Sequence, residues 1–262
     1  MSIAIPHKTV CFFSDYFTEQ LRCLPSIYEW KVPQIDGFNA SAETKLQGMG
    51  ADSLSNFEEN ILLKHFMNRE WHSTECGENR IKRANDIVSK WGGIRTNDPK
   101  TLRNHIQLAN NPNPMTPIKG IASYSKILSI VDLNRYAIYD ARVAACLNAI
   151  QFTGNVKEPV FFSYVPSRNS IIGGNKTSPG FLRFSDFKRR KLVGSGWSNV
   201  QRNQTYAAYL ELLRKCSETL ETPIYHLEMV LFSRAVTECV HAIQAISPDY
   251  VPPKGPRRYS EL

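Results

Sequence analysis

From residue 56 onward the apolar residues return at helical spacing in one segment after another, and this succession is what most restricts the fold. In NFEENILLKHFMNREW, Phe57, Ile61, Leu62 and Phe66 share one face. In RIKRANDIVSKWGG, Ile81, Ala84, Ile87, Val88 and Trp91 do so, ahead of a glycine pair that stops the helix. TLRNHIQLANN repeats the pattern with Leu102, Ile106 and Ala109, and Asp98 and Pro99 mark its start. Beyond the breaker NPNPMTP come ASYSKILSIV and ARVAACLNAIQ; further on, TYAAYLELLRKCSETL and PIYHLEMVLFSRAVTECVHAIQAI read as two long helices. A mainly α fold is therefore expected. With 262 residues, 42% of them hydrophobic, the chain can bury one large core or two lobes that share a groove.

The expected organisation is a single unit of 1–262. It comprises an N-terminal segment 1–55, a helical lobe 56–151 with a hairpin at 117–123, a loop-rich segment 152–203, C-terminal helices 204–250 and a tail 251–262. The loop-rich segment is frequent in Gly, Ser, Pro and Asn, and EPVFFSYV within it reads as a short strand. It carries nine basic residues against two acidic ones, close to the net charge of +8 of the whole chain. An anionic partner is one reading of that charge; a solvated basic surface is the other. Its run Lys188, Arg189, Arg190 and Lys191 is either a solvated loop or an arm that tracks phosphates. The interleaved Phe181, Phe184, Phe187 and Trp197 would stack on bases in the second case and fill the core in the first.

Other chemistries leave little trace. The six cysteines are widely spaced without a CxxC pair, so buried reduced thiols are expected rather than a zinc or iron–sulfur site. The histidines are scattered, and no metal or cofactor is expected. MSIAIPHKTVCFF lacks the basic and apolar regions of an export signal, and no stretch approaches eighteen apolar residues, so a soluble cytoplasmic protein is expected.

One residue interrupts this apolar texture. Asp140 stands among Ile138, Tyr139, Ala141 and Val143, where an unpaired buried charge is costly. It directly precedes ARVAACLNAIQ, so its carboxylate is placed to accept from the N–H groups of Arg142 or Val143 as a helix cap. A capping carboxylate at the positive end of a helix is also held ionised and oriented, which suits a charge stabiliser. Upstream, Gly120 permits a positive φ between two helices, and the backbone N–H groups that follow can hold a phosphate oxygen. In the second of those helices Tyr124, Ile127, Leu128 and Val131 form the inward face. Lys126 lies about 200° from Tyr124 round the helix, so a regular helix cannot aim both into one pocket. Periodicity favours Tyr124.

The order of hairpin KGIAS, helix YSKILSIV and then IYDARV opening another helix resembles the helix-hairpin-helix DNA glycosylases. Their motif is a hairpin of the PGVG type, a lysine or a neutral residue just after it, and an aspartate further on. Aligning the hairpins puts Tyr124 where bifunctional members have lysine, with Asp140 sixteen residues later. SKIL and DARV also look like stand-alone prokaryotic proteins of the 8-oxoguanine-glycosylase-like fold, in which the lysine of a TKFL-like segment precedes a DARV-like one. On that alignment Lys126 is the functional lysine. The likeness spans residues 116–150. It departs from the family in Ala122, where a second glycine is usual, in a shorter spacing to Asp140, and in lacking the C-terminal cysteine cluster of the endonuclease III branch.

The resemblance implies a mainly α, two-lobed protein that flips a base out of double-stranded DNA into a site between the lobes and breaks its N-glycosidic bond. Asp140 would stabilise the sugar cation. The hairpin Lys119, Gly120, Ile121, Ala122 and Ser123 would hold the DNA backbone, with Lys188 to Lys191. Trp71, Trp91, Tyr139, Tyr164 and Trp197 are the aromatic candidates for the base pocket, Tyr139 and Trp197 above all. With Tyr124 in the pocket, water attacks and leaves an abasic site; with Lys126 there, its amine forms a Schiff base and allows strand cleavage. A damaged or modified base is the expected target, one candidate being a hypermodified base of phage DNA, such as a modified cytosine removed in antiviral defence. The alternatives are 8-oxoguanine repair with Lys126-dependent lyase activity, or a helix-hairpin-helix protein that binds DNA without catalysis.

Overall fold

A computed structural model describes residues 4–47, 54–75, 77–94, 98–112, 114, 116–176 and 178–253. The fold is mainly α. In chain order come α1 (His7–Leu21), α2 (Leu24–Ile27), α3 (Ala40–Gln47), α4 (Asn56–Ser73), α5 (Glu78–Asn85), a π-helical turn (Asp86–Trp91), α6 (Pro99–Ala109), α7 (Ile121–Val131) and α8 (Ala141–Thr153). After them follow β1 (Val160–Phe161), α9 (Arg189–Gly194), β2 (Ser198–Asn199), α10 (Thr205–Leu220) and α11 (Ile224–Ile246), with short 3-10 turns between.

Local chemistry sets the helix ends. Ser55 and Glu58 form a reciprocal capping box at the start of α4, the Glu58 carboxylate accepting from the Ser55 N–H at 2.7 Å. The Asp98 carboxylate accepts from the Thr101 N–H, with Pro99 at the first helical position of α6. Gly120, at φ 80°, turns the chain into α7. A Cβ there would also meet the His105 ring at 3.2 Å, so a side chain at the hairpin would press on α6 as well as strain the turn.

The core forms around α8, in which every residue from Val143 to Ile150 is buried, and α11 packs along it. Two amides of α8 hold the chain that follows it. Asn148 exchanges hydrogen bonds with the backbone of Phe162, and Gln151 does the same with Val160, at 2.7 to 3.0 Å. They serve the backbone groups that a larger sheet would serve, since among the described residues β1 pairs only with β2, in parallel. The strand expected over EPVFFSYV is thus two residues long. By length and composition α11 is the one helix among the described residues apolar enough to cross a membrane. It carries Glu228, Arg234 and Glu238, and its apolar residues face α8 in the core.

The N-terminal segment, to which the sequence reading assigned no helix, contains α1, α2 and α3. α1 packs against α10 and α11 through Val10, Phe13 and Phe17, and the Tyr16 hydroxyl donates to Glu238 at 3.0 Å. Partly buried Phe12 and Tyr16 sit between those core positions and blur the helical stripe. A second correction concerns RIKRANDIVSKWGG, where the α-helix gives way to the π turn and the Gly92 N–H donates to Ile87 O, five residues back. Of the cysteines expected to be buried, Cys146, Cys216 and Cys239 are, whereas Cys11 and Cys23 are exposed; Cys76 lies outside the described residues. The tail lies outside them from residue 254.

Candidate active site

Tyr124 and Lys126 leave α7 in different directions, as their angular separation requires. The Tyr124 hydroxyl donates to Pro117 O at 2.6 Å, and its ring packs edge-on against His105 and Tyr206. Lys126 points the other way, into a cavity, and its Nζ folds back to donate to Ala122 O at 2.8 Å. The first turn after the hairpin and the cavity are therefore adjacent.

Asp140 reaches the same cavity along an extended segment. Tyr206 and Tyr209 of α10 donate their hydroxyls to Ala137 O and Ile138 O, at 2.8 and 3.0 Å, and the Tyr139 N–H donates to Ser125 Oγ at 3.1 Å. Held extended, the chain alternates: Ile138 and Asp140 line the cavity while Tyr139 lies behind it. One carboxylate oxygen of Asp140 accepts from the N–H groups of both Arg142 (2.9 Å) and Val143 (3.1 Å), capping α8. Capping and exposure to the cavity coexist.

The cavity is about 130 Å³ and open to solvent. An engineered cavity of about 150 Å³ admits benzene, so there is room for a planar ring. Its walls are aromatic: Tyr28 and Trp30 from the segment after α2, Trp91 from the π turn and Phe232 from α11. Asn60 ties the two tryptophans together, accepting from the Trp91 indole at 2.9 Å and donating to Trp30 O at 2.7 Å. Arg142 stacks its guanidinium 4.5 Å over Phe232 at the rim. Glu228 completes the wall and is paired with Lys64 of α4 at 3.1 Å, both almost fully buried.

Burial lowers the Lys126 pKa below the usual lysine range; Asp140 and Glu228 oppose that shift and Lys64 adds to it. Glu228 is raised by burial, against the attraction of Lys64. Tyr28 is raised well above its ordinary value, by burial first and by Glu228 second. Contact with Gly92 fixes where Lys126 lies. A Cβ on Gly92 would stand 2.4 Å from Lys126 Cδ and 2.7 Å from both its Cε and Val88 O, so the lysine stem packs on bare backbone.

Of the aromatic residues singled out in the sequence, Trp91 lines this cavity. Tyr139 and Trp197 do not: the Tyr139 hydroxyl donates to Ser163 O at 2.7 Å in the core, and Trp197 packs with Phe161 and Leu192. Tyr164 donates to Phe187 O, and Trp71 is buried under Arg80. Phe181 and Phe187, read as possible stacking platforms, are stacked on each other at 4.1 Å and are buried. Lys188, Arg189, Arg190 and Lys191 are exposed at the start of α9, with Arg189 donating to Asn199 at 3.0 Å. Lys119 and Gly120 are exposed at the hairpin, Ala122 and Ser123 are half-buried, and Ile121 is buried. A larger open cleft of about 510 Å³ between Ser73 and Arg83 is lined by solvated polar groups and holds no buried titratable side chain among its lining residues.

Tyr28, Trp30, Arg142, Glu228, Phe232, Gly92 and Lys64 were not singled out by sequence. Trp91 beside Gly92 was the one legible trace of that wall. No protein-family model matches the chain, and neither the curated proteins nor the solved structures contain a match to it.

Proposed function

We propose that the protein is a two-lobed helix-hairpin-helix DNA glycosylase that flips a modified or damaged base out of duplex DNA and releases it with Lys126 as nucleophile and Asp140 as the fixed anion. The observation that carries this reading is the convergence of a buried lysine of lowered pKa and an oriented carboxylate in one small aromatic cavity, a turn away from a glycine hairpin. Tyr28, Trp30, Trp91 and Phe232 offer faces and edges to a planar ring. Lys119 and the exposed basic run at Lys188 to Lys191 supply sequence-independent attraction for the backbone.

The chemistry follows from the two groups. As the C1′–N bond breaks, its electron pair leaves on the base, which takes up a proton, and the sugar gains positive charge that the Asp140 carboxylate stabilises. The neutral Lys126 amine gives its lone pair to C1′, and the ammonium so formed loses a proton. Opening of the ring at the C1′–O4′ bond, with a proton passing to O4′, gives a Schiff base. Hydrolysis of that Schiff base leaves an abasic site, and β-elimination from it cuts the strand.

The test is a panel of duplexes carrying single oxidised, alkylated, deaminated and 5-substituted bases, with the released base identified by mass and the Schiff base trapped by borohydride. Release of at least one base, with a trapped adduct on Lys126, is expected. No release from any duplex and no adduct with an abasic duplex would overturn the reading.

Gly92→Ala tests the geometry. The added methyl group must push the Lys126 stem aside, and a displacement of about 1 Å lowers the rate about 10²-fold. Duplex binding is expected to stay unchanged in a gel-shift titration, so a proportional loss of binding would argue against this role for Gly92.

A further inference from the structure

Behind the cavity lies a second lysine. Lys64 is 1% exposed, its Nζ stands 3.1 Å from Glu228 Oε2, and its charge lies 5.0 Å from the centre of the Trp91 ring. A buried ion pair adds little net stability over apolar residues of the same volume, so its presence here calls for another reason. Its place supplies one. Glu228 lines the same wall as Lys126 and Asp140, whereas Lys64 sits behind that wall. Asp140 already accepts two backbone N–H groups, but Glu228 has no such fixed partners among the described residues apart from Lys64.

We propose that Lys64 is a positioning residue of this site: by closing an ion pair with Glu228 it keeps that carboxylate from capturing Lys126, and so leaves the Lys126 amine, hydrogen-bonded to Ala122 O, out of an ion pair with Glu228. The inference rests on the glycosylase reading for its purpose but not for its test. Lys126 faces Asp140 from the start of α8, Glu228 from α11 and Lys64 from α4; the π turn brings only Trp91 and Gly92 to the cavity. Glu228 faces Lys64, Lys126 and Asp140, with the phenols of Tyr28, Tyr206 and Tyr209 nearby. Removing Lys64 acts on Lys126 twice in the same direction. It removes a repelling cation, and it frees an anion to attract the protonated amine.

The measurement is an NMR titration of the full chain labelled with ¹³C at the lysine ε-carbons, the Lys126 resonance being assigned by its loss in Lys126→Met. In Lys64→Met the Lys126 midpoint is expected at higher pH. In parallel, borohydride trapping with an abasic-site duplex at neutral pH is expected to fall about tenfold and to recover as pH rises, tenfold being one pH unit of midpoint. Glu228→Gln is expected to move the midpoint to lower pH, and the double variant Lys64→Met/Glu228→Gln to return it toward the parent value. If Lys64→Met does not fold, Glu228→Gln and the charge-balanced double variant still decide. A midpoint unmoved in the folded variants, with trapping lowered equally at every pH, would mean a merely structural pair and would overturn the proposal. Midpoints that move as stated while the parent protein neither releases a base from any duplex nor traps an abasic one would uphold the electrostatic role and reject the glycosylase reading.

Discussion

Lys126→Met is expected to abolish covalent trapping on an abasic duplex and to slow base release by on the order of 10⁴-fold or more, as the loss of a nucleophile that acts together with a second group does. The substitution keeps the stem that packs on Gly92 and removes only the amine. It leaves the Lys64–Glu228 pair intact, so no buried charge is stranded, and the melting temperature should change little. The assay is borohydride trapping read by gel and by mass, with duplex affinity measured alongside. An adduct of undiminished yield would remove Lys126 as nucleophile. The expected pH dependence has a definite sign. The lowered pKa of Lys126 means that the amine becomes available below the usual lysine range, so trapping should rise with pH and level off before an exposed lysine would.

Asp140→Asn is expected to retain duplex binding and lose base release by up to about 10³-fold. The carboxylate acts on positive charge at C1′, and two unit charges roughly 3.5 Å apart at an effective dielectric of about 20 interact by about 4.7 kcal/mol. Placed wholly in the barrier, that energy bounds the loss at about 10³. Asparagine keeps an oxygen able to accept from the Arg142 and Val143 N–H groups, so α8 stays capped and stability changes little. Single-turnover release from the preferred duplex, compared with affinity for it, separates the two roles. Unchanged release would reduce Asp140 to a cap and remove it from the mechanism, whereas no release from either form would favour a protein that only binds DNA.

Much of the helical framework could be read locally. Asp98 with Pro99, the glycine hairpin and Asp140 mark the starts of α6, α7 and α8, because capping and turn chemistry act over a few residues. The same locality explains two misses. In the first turn of α1 no side chain caps the helix, and its aromatic residues fall on both sides, so its stripe was hard to see. The π turn differs from α-helix by one residue of hydrogen-bond register, which leaves no mark in apolar spacing.

The site was legible only in part. Asp140 could be named because it breaks an apolar run and Lys126 through the resemblance of SKIL, but periodicity turned Tyr124 inward and left open which of Tyr124 and Lys126 reached a pocket. Helical spacing fixes only the angle between side chains, about 200° here. Both sides of α7 are buried in this fold, one against α6 and α10, the other against the cavity, so an inward face does not identify the site.

The sequence by itself determined a mainly α chain, the order of its principal helices after residue 56, and the cap at Asp140, since each depends on residues a few positions apart. Only the tertiary structure decided that Lys126 shares a cavity with Asp140, that Tyr28, Trp30, Glu228 and Phe232 wall it, and that Lys64 pairs with Glu228 behind it. Those contacts join residues up to two hundred positions apart, and the burial that lowers the Lys126 pKa exists only once they have closed.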